Sequence, residues 1–522
     1  MRKIAFFLAA LVLLLGIMVS GCPSDGGDQV TPSPTPAAFS VSNLAIEPAE
    51  VMANEAVTIS VSVANTGGSQ GSHEAILNIN GAPEETKRIT IAAGASQSIT
   101  FSVTREDGGS YTVTVDSLTG SFTVVQEVTF PDSNLEAVIR EAIDKLQGPI
   151  YTSDLESLTR LIAQERGISD LSGLEYCLNL RWLDLGQNNI SDLSPLAGLS
   201  DLRYLFLQSN NTSDLLPLSG LINLGLLDLS DNNIGDLSPL TGLINLEELD
   251  LGNNQISNIS PLVGLTDMTR LSLSGNIISE LTPLAGLSKL QELYLNENNI
   301  SDISPLASLI NLQELGLGNN QILALFPLSG LTKLERLELG QNNISDISPL
   351  IGLGELQELY LNENDINDVS SLAALTNLEV LYLNENDISN ISPLAALTNL
   401  EGLRLSDNYI SDLSSLSGLT GLELLGLSGN YISNISPLAG LIEVKVLYLS
   451  GNDISGLSPL SGLTRLELLE LGQNNISDIL PLVENSGLSA GDTVYLTGNP
   501  LSITSVNLYI LQLKQRGVTV FY

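Results

Sequence analysis

The sequence predicts an α+β repeat protein: a solenoid with a parallel concave sheet and short 3₁₀ convex segments, preceded by an all-β sandwich. Three observations predict it. Leucine recurs every 22 residues, at 183, 205, 227 and onward to 469. Asparagine follows five residues behind each of these leucines, from Asn188 to Asn474. Between residues 39 and 125, by contrast, apolar and polar residues alternate with a period of two, as half-buried strands require.

The chain opens on an address. Arg2 and Lys3 precede an apolar run, Ile4 to Val19, broken only by Gly16. That run is short for a membrane span and suits a secretory signal, assigned to residues 1–21. Val19-Ser20-Gly21-Cys22 follows, and it resembles the bacterial lipobox. The resemblance implies cleavage before Cys22, lipidation of its sulfur and acylation of the new N-terminus. Several acyl chains anchor far more firmly than one. Residues 22–38 are rich in Pro, Gly, Ser and Thr, without apolar period, and read as a tether. Its Pro-rich half should extend at roughly 3 Å per residue.

Residues 39–126 read as the sandwich. Val57, Ile59, Val61 and Val63 alternate with polar residues, as do Ile99, Phe101 and Val103, then Tyr111, Val113 and Val115. Further strands fit near 41–46, 74–80, 85–91 and 119–125. Asn65-Thr66-Gly67-Gly68, Asn80-Gly81, Ala93-Gly94 and Asp107-Gly108-Gly109 supply the turns. The run Val61 to Gly67, with Leu77 to Gly81, Phe101 to Val103 and Tyr111 to Val115, resembles CARDB-type immunoglobulin-like modules of bacterial surface proteins. The resemblance implies a spacer or adhesion role. His73 is expected in the loop before a strand, simply solvated.

Residues 161–501 carry about sixteen repeats of the unit L-x-L-x-x-N-x-I-S-D-L-S-P-L-x-G-L-x-x-L-x-x. A degenerate first copy holds Leu161, Ile168, Ser169, Asp170, Leu171 and Leu174; a shifted last one holds Val494, Leu496, Asn499 and Leu501. In L-x-L both leucines share one face of a short strand, so one strand per repeat builds a parallel sheet. The asparagine follows where the chain leaves the strand. Its amide is expected to bond backbone groups of its own and adjacent repeats, which a buried turn otherwise leaves unpaired. The ladder comprises Asn188, Asn210, Asn232, Asn254, Asn276, Asn298, Asn320, Asn342, Asn364, Asn386, Asn408, Asn430, Asn452, Asn474 and Asn499.

The return limb opens with Ser-Pro, as at Ser194-Pro195 and Ser304-Pro305, with serine as cap and proline in the first turn. About five residues remain before the next turn, enough for a 3₁₀ segment only. This unit, asparagine and limb resemble the bacterial internalin-like branch of the leucine-rich repeat family. The resemblance implies a binding scaffold whose ligand is a protein. Ser370-Ser371 and Ser414-Ser415 lack the proline, Thr212 replaces Ile, and Leu323-Ala324-Leu325-Phe326 replaces the polar limb. These departures should leave the fold intact. Residues 127–160 should cap the array, with a helix after Pro131-Asp132-Ser133 and a shorter one after Thr152-Ser153-Asp154. Residues 502–522 should cap the other end, with a helix over Ser505–Gln515, a stop near Gly517 and a strand at Val518-Thr519-Val520. Cys177 stands where the next repeat has Leu199 and should be a core thiol.

Composition narrows the chemistry. Lys+Arg is 20 against 59 for Asp+Glu, a net charge of −39. Such a chain cannot neutralise nucleic-acid phosphates over a broad face. One His and two Cys exclude His-rich metal sites, Cys zinc sites and disulfide scaffolds, and weaken any Ser-His or Cys-His hydrolase reading. No enzyme and no cofactor are expected. The residues flanking the strand leucines should face outward, and exposed Tyr, Trp and Arg are the types that anchor interfaces. Trp182, Tyr204, Phe206, Tyr294, Glu338, Glu358, Tyr360, Tyr382, Arg404 and Tyr448 are therefore the candidate ligand-binding residues. These columns are read as offering no leucine, and as carrying more acid than base. A second column, Asp192, Asp214, Asp236, Asp302, Asp346, Asp368, Asp412 and Asp478, is expected to bond nearby turn backbone rather than Ca²⁺, since no D-x-D-G loop accompanies it.

The expected protein is a binding protein lipid-anchored outside a bacterial membrane, facing the cell surface or the periplasm. Its expected partner is a protein of basic character, with glycan second. A structural envelope component without a diffusible ligand is the alternative. Tyr522 ends the sequence without an LPxTG-type sorting signal, so anchorage is expected at the N-terminal end.

Overall fold

The computed structural model describes residues 33–522. The signal segment, Cys22 and the first part of the tether lie outside the described residues. Contacts divide the chain into two units that meet between Gln126 and Glu127.

The first unit is a sandwich of two sheets. Its strands are β1 (Phe39–Glu47), β2 (Glu50–Met52), β3 (Ala56–Asn65), β4 (Gly71–Ile79), β5 (Ala82–Ile91), β6 (Ser96–Thr104), β7 (Gly109–Val115) and β8 (Leu118–Val125). One sheet runs β1-β3-β6 and the other β2-β8-β7-β4-β5. The inward members of each alternation, among them Val57, Ile59, Phe101, Val113 and Phe122, form the core. One strand is additional and one expectation fails. β2 is a short parallel partner of β8, and three residues carry no legible alternation. His73 sits within β4, not in a loop; its Nε2 lies 2.9 Å from Asp116 Oδ2 and its ring 5.3 Å from that of Phe39. It is tied into the module rather than simply solvated.

The second unit is the solenoid. A single sheet of 17 strands runs from Arg160–Ile162 to Thr519–Phe521 in chain order. Every adjacent pair is parallel, and each leucine up to Leu447 pairs with the leucine of the next coil, as Leu315 does with Leu337 and Leu337 with Leu359; Leu469 pairs with Val494. The two leucines of each L-x-L are sealed; Leu337 and Leu339 are 0% exposed. One apolar column stacks through the whole array, so each coil buries its core against its neighbours.

The asparagine ladder closes the inside of each turn. Asn342 Nδ2 donates to Leu317 O of the preceding coil at 3.0 Å and to Leu339 O of its own at 3.1 Å. Its Oδ1 accepts Ile322 N at 2.9 Å. The same set recurs from Asn188 to Asn474, and Asn499 repeats it at the shifted last copy. The residue before the asparagine usually takes a left-handed φ, as at Gln187 (55°), Gln341 (58°) and Asp407 (55°). That conformation turns the chain out of the strand.

The convex side carries 3₁₀ segments such as Ser304–Ser308 and Ser348–Gly352. Serine is the first residue of these segments rather than their cap; the cap is the apolar residue before it, with no side-chain bond. The Asp column does the capping. Asp302 Oδ1 accepts Ser304 N at 2.8 Å, and Asp346 Oδ1 accepts Ser348 N at 2.8 Å. Phe326–Gly330, Ser370–Ala374 and Ser414–Gly418 form 3₁₀ turns despite their divergent sequences. In the last full coil an α-helix, Leu480–Glu484, replaces the 3₁₀ turn.

Both ends are covered. Helix α1 (Ser133–Ala142) buries Leu135, Val138 and Ile139, and Asp132 caps it by accepting Asn134 N and Leu135 N. Helix α2 (Thr152–Leu155) follows. At the far end Ser505–Tyr509 forms a π turn that continues as α-helix over Ile510–Gln515, ahead of the last strand. Cys177 is fully buried, and burial first, with Glu175 adding to it, pushes its thiol up to about 12.

A candidate binding face on the concave sheet

The residue between the two leucines, and the one before the first, point away from the core. Along each column they come within one strand spacing of their counterparts, about 4.8 Å. Three zones follow one another along this face.

The first is aromatic. Trp182, Tyr204 and Phe206 stand on adjacent strands. The Trp182 ring lies 4.9 Å from Tyr204 and 5.2 Å from Phe206, with the Arg160 guanidinium over it at 5.1 Å. Tyr204 is 41% exposed. Trp182 Nε1 is buried without a hydrogen-bond partner, as is Gln208 Oε1.

The second zone holds two ionic clusters on neighbouring coils. Arg270 pairs with Glu292 and lies over the Tyr294 ring, while the Tyr294 hydroxyl donates to Glu314. Arg336 Nε and Nη2 donate to Glu338 Oε1 at 3.0 and 2.6 Å, and Nη1 donates to Glu358. The Tyr360 hydroxyl donates to Glu358 at 2.8 Å. Burial, then the Glu314 bond, raises the Tyr294 phenol; burial, then the Glu358 bond, pushes that of Tyr360 up to about 12. Burial disfavours the Arg336 cation, yet Glu338, Tyr360 and Glu358 outweigh it and the net shift is upward. Glu338 and Glu358 are thus not the free acids that a count of charges along the columns suggests. Asp228 is a different case: burial leads in raising its carboxyl, with Asp250 and Asp231 adding to the effect.

The third zone begins at Tyr382. Its ring meets that of Tyr360 edge-on at 5.1 Å, and Arg404 lies over it at 4.9 Å. Tyr448 stands apart, between Gly426 and Glu470 in the register. The structure therefore joins Glu338, Glu358, Tyr360, Tyr382 and Arg404 in one group, and Trp182, Tyr204 and Phe206 in another. Tyr294 belongs to a neighbouring pair of coils, and Tyr448 to neither group.

Between the coils of these clusters lies a depression of about 300 Å³, lined by Asn296, Gly318, Glu338, Gly340, Tyr360 and Asn362 among others. Glycines make its room: a Cβ on Gly318 would fall 3.3 Å from Asn296 Oδ1, and one on Gly340 would fall 2.7 Å from Asn362 Oδ1. Asn296 Nδ2 reaches across two coils to Glu338 Oε2 at 3.0 Å. This third outward column, after the second leucine, escaped the sequence reading; continuing the strand's alternation by one step would have found it. Outward leucines were also missed. Leu226, Leu424 and Leu468 precede the first strand leucine and are half-buried on the concave side.

The convex Asp column is bonded to the chain itself. Ser238 Oγ and N hold the Asp236 carboxyl below its ordinary value, and Asp302 and Asp346 are lowered by the same kind of serine contact. Among the described residues no group of three or more His, Cys, Asp or Glu is placed to hold a metal ion.

Comparison with known proteins follows the same division. Residues 178–221, 222–264, 266–308, 310–352, 355–396, 398–440 and 442–484 match the family model for leucine-rich repeats in paired copies. Residues 37–119 match the CARDB model. Comparison with curated proteins gives no match. Among solved structures, an internalin (inlF) from Listeria monocytogenes is 33% identical, over 67% of this chain and 96% of its own, with a TM-score of 0.56. A leucine-rich repeat protein of Leptospira interrogans is 26% identical, over 71% of this chain and 97% of its own, with a TM-score of 0.65. The functional domain of InlJ from Listeria monocytogenes shares the fold at 21% identity, over 71% of this chain and 82% of its own, with a TM-score of 0.54. With its 22-residue coils matched along most of their length, and an internalin matched at this identity, the chain belongs to the leucine-rich repeat family in its internalin-like form.

Proposed function

We propose that the chain is a binding protein held by lipid at Cys22 on the outside of a bacterial membrane, and that it recognises a protein ligand on the concave face of its solenoid. The observation that carries this reading is the Tyr360–Tyr382–Arg404 stack, backed by Arg336 and Glu358 on a sheet whose leucines are sealed beneath it. Two phenols on adjacent strands offer apolar area and hydroxyls at little entropic cost, which suits an anchor. The concave carboxylates of this group are engaged by arginine or by phenol hydroxyls, which favours recognition over catalysis. Binding is reversible, and the side chains that change from coil to coil set its specificity. The sandwich serves as spacer. The lipobox-like Val19-Ser20-Gly21-Cys22 supports the anchor at Cys22; among the described residues no helix is long and apolar enough to cross a membrane. A glycan is the second ligand class.

Capture of partners by the immobilised chain, with Tyr360→Ser/Tyr382→Ser beside it, tests the reading. The double variant should release a captured protein faster, at a cost of about 2 kcal/mol or more. Equal retention by both, with loss on altering the convex serine-proline limb, would sink the concave face. No saturable capture at all would leave the structural envelope role. For the anchor, Cys22→Ala should leave the membrane fraction; its retention there after a high-salt wash would refute lipidation.

A further inference from the structure

The C-terminal third of the concave face differs from the rest. In the column before the first strand leucine, the charged residues of the middle coils give way to Val380, Gly402, Leu424, Val446 and Leu468. These five are in direct register and all are half-buried. They form an aliphatic strip on a surface turned to solvent, beside Tyr382 and Tyr448. Gly402 leaves a notch in it: a Cβ there would meet only the Val380 methyls, at 3.8 Å.

Carboxylates border the strip. Glu379, Glu401, Glu423 and Glu467 immediately precede its members, and the backbone ladder keeps them in register. On the opposite side, beyond the Tyr382–Arg404 column, Glu385 and Asp407 are exposed at the left-handed turns. Two cations lie against the strip, Lys445 paired with Glu423 and Arg404 over Tyr382. Glu379, Glu401, Glu467, Glu385 and Asp407 have no such partner among the ion pairs of the described residues. Arg404 Nε and Asn384 Oδ1, at the head of the strip, are buried without hydrogen-bond partners.

We infer that this strip is the docking site for a cationic amphipathic helix of a protein partner. The inference rests on the concave-face reading above and makes it specific. Its steps are one strand spacing, about 4.8 Å, close to the roughly 5.4 Å pitch of an α-helix laid along the solenoid. One apolar side chain per helical turn then meets each coil, and the notch at Gly402 admits the largest. An extended strand along the same line repeats each face at about 6.6 Å and falls out of step within two coils. Four steps from Val380 to Leu468 span about 19 Å, or three to four helical turns. Lys or Arg on the helix flanks would face the carboxylates on the two sides, the arrangement by which helices seat in charged apolar grooves.

The test uses the full chain and a synthetic peptide of about 14 residues with Leu at helical spacing and Lys elsewhere. A scrambled peptide of the same composition, without an apolar face, is the control. Fluorescence anisotropy at low and high salt should show the amphipathic peptide bound at least about tenfold tighter than the scrambled one. Leu424→Ser/Val446→Ser should lose that preference. Val446→Lys keeps an aliphatic stem and should weaken binding by a similar factor, which guards against a misfolded double variant. Glu379→Gln/Glu401→Gln should weaken binding about threefold and flatten its salt dependence. Ile351→Ser, exposed on a convex 3₁₀ segment, should bind as wild type, and Tyr204→Ser probes the aromatic zone at the other end of the sheet. Equal affinity for both peptides, or binding indifferent to the strip variants, overturns the inference. If Tyr204→Ser alone abolishes binding, the strip is wrong while the concave face stands; if no concave variant matters, both fall.

Discussion

The inside of a coil and its concave face lie one residue apart in sequence and behave in opposite ways. Behind the sheet, each ladder asparagine repeats one set of bonds; on the front, Arg336, Glu338, Tyr360 and Arg404 each have a different environment. The cause is what each side meets. The ladder asparagine faces backbone, which is the same in every coil. An outward side chain faces solvent and the side chains of the next coil, which are not. Repetition thus marks positions whose environment repeats, and departure from it marks surface free to become specific.

The comparison can be broken in four ways. The largest effect should come from Leu337→Ala, which empties a fully sealed position and should cost roughly 2–5 kcal/mol in denaturant unfolding. Asn342→Ala comes next, at about 1–3 kcal/mol, because it strands Ile322 N in a dry turn and leaves Leu317 O and Leu339 O with one amide donor each, from Asn320 and Asn364. Hydrogen exchange should show the loosening confined to the coils on either side.

Tyr360→Ala should cost less, about 0.5–1.5 kcal/mol, through the lost ring contact with Tyr382. Losses equal to those at Leu337 would mean that the two faces are exchanged. The phenol gives an independent reading. Its folded pKa of about 12 exceeds the ordinary value of roughly 10, so its contribution to stability is complete below about pH 10 and is lost as pH rises towards 12. Ultraviolet titration should show a late-ionising tyrosine that Tyr360→Phe removes.

Asp346→Ala should have the smallest effect, since the carboxylate is wholly exposed and bonds only its own turn. The folded carboxyl is held below its ordinary value, so its contribution is present above about pH 4 and disappears as pH falls through the lowered value. Melting curves of the variant and wild type should converge in acid.

The repeat was legible because its physics is local. Leu-x-Leu sets the inward face, the asparagine sets the turn, and the short limb leaves room only for 3₁₀ structure. What stayed hidden depends on neighbours many residues away. Nothing in the sequence around Asn296 announces Glu338 two coils on, and nothing around Glu358 shows that Arg336 claims it. Leu424 and Val446 stayed hidden for the opposite reason: an apolar residue beside Leu-x-Leu reads as core, although it faces out. β2 has three residues, too few for a period, and the serine cap was misread because the aspartate two residues earlier makes the bond.

The ladder bonds also bear on how such a chain can change length. Asn364 donates to Leu339 O as Asn342 donates to Leu317 O. Excising residues 337–358 would bring Asn364 to the Leu317 carbonyl with every inward leucine still stacked on a leucine. The concave face would shorten by one strand spacing, about 4.8 Å, and no apolar surface would be newly bared. Gains and losses of whole coils are therefore nearly silent for folding, while each one slides the aromatic, ionic and aliphatic zones past one another and so redraws what the face can hold.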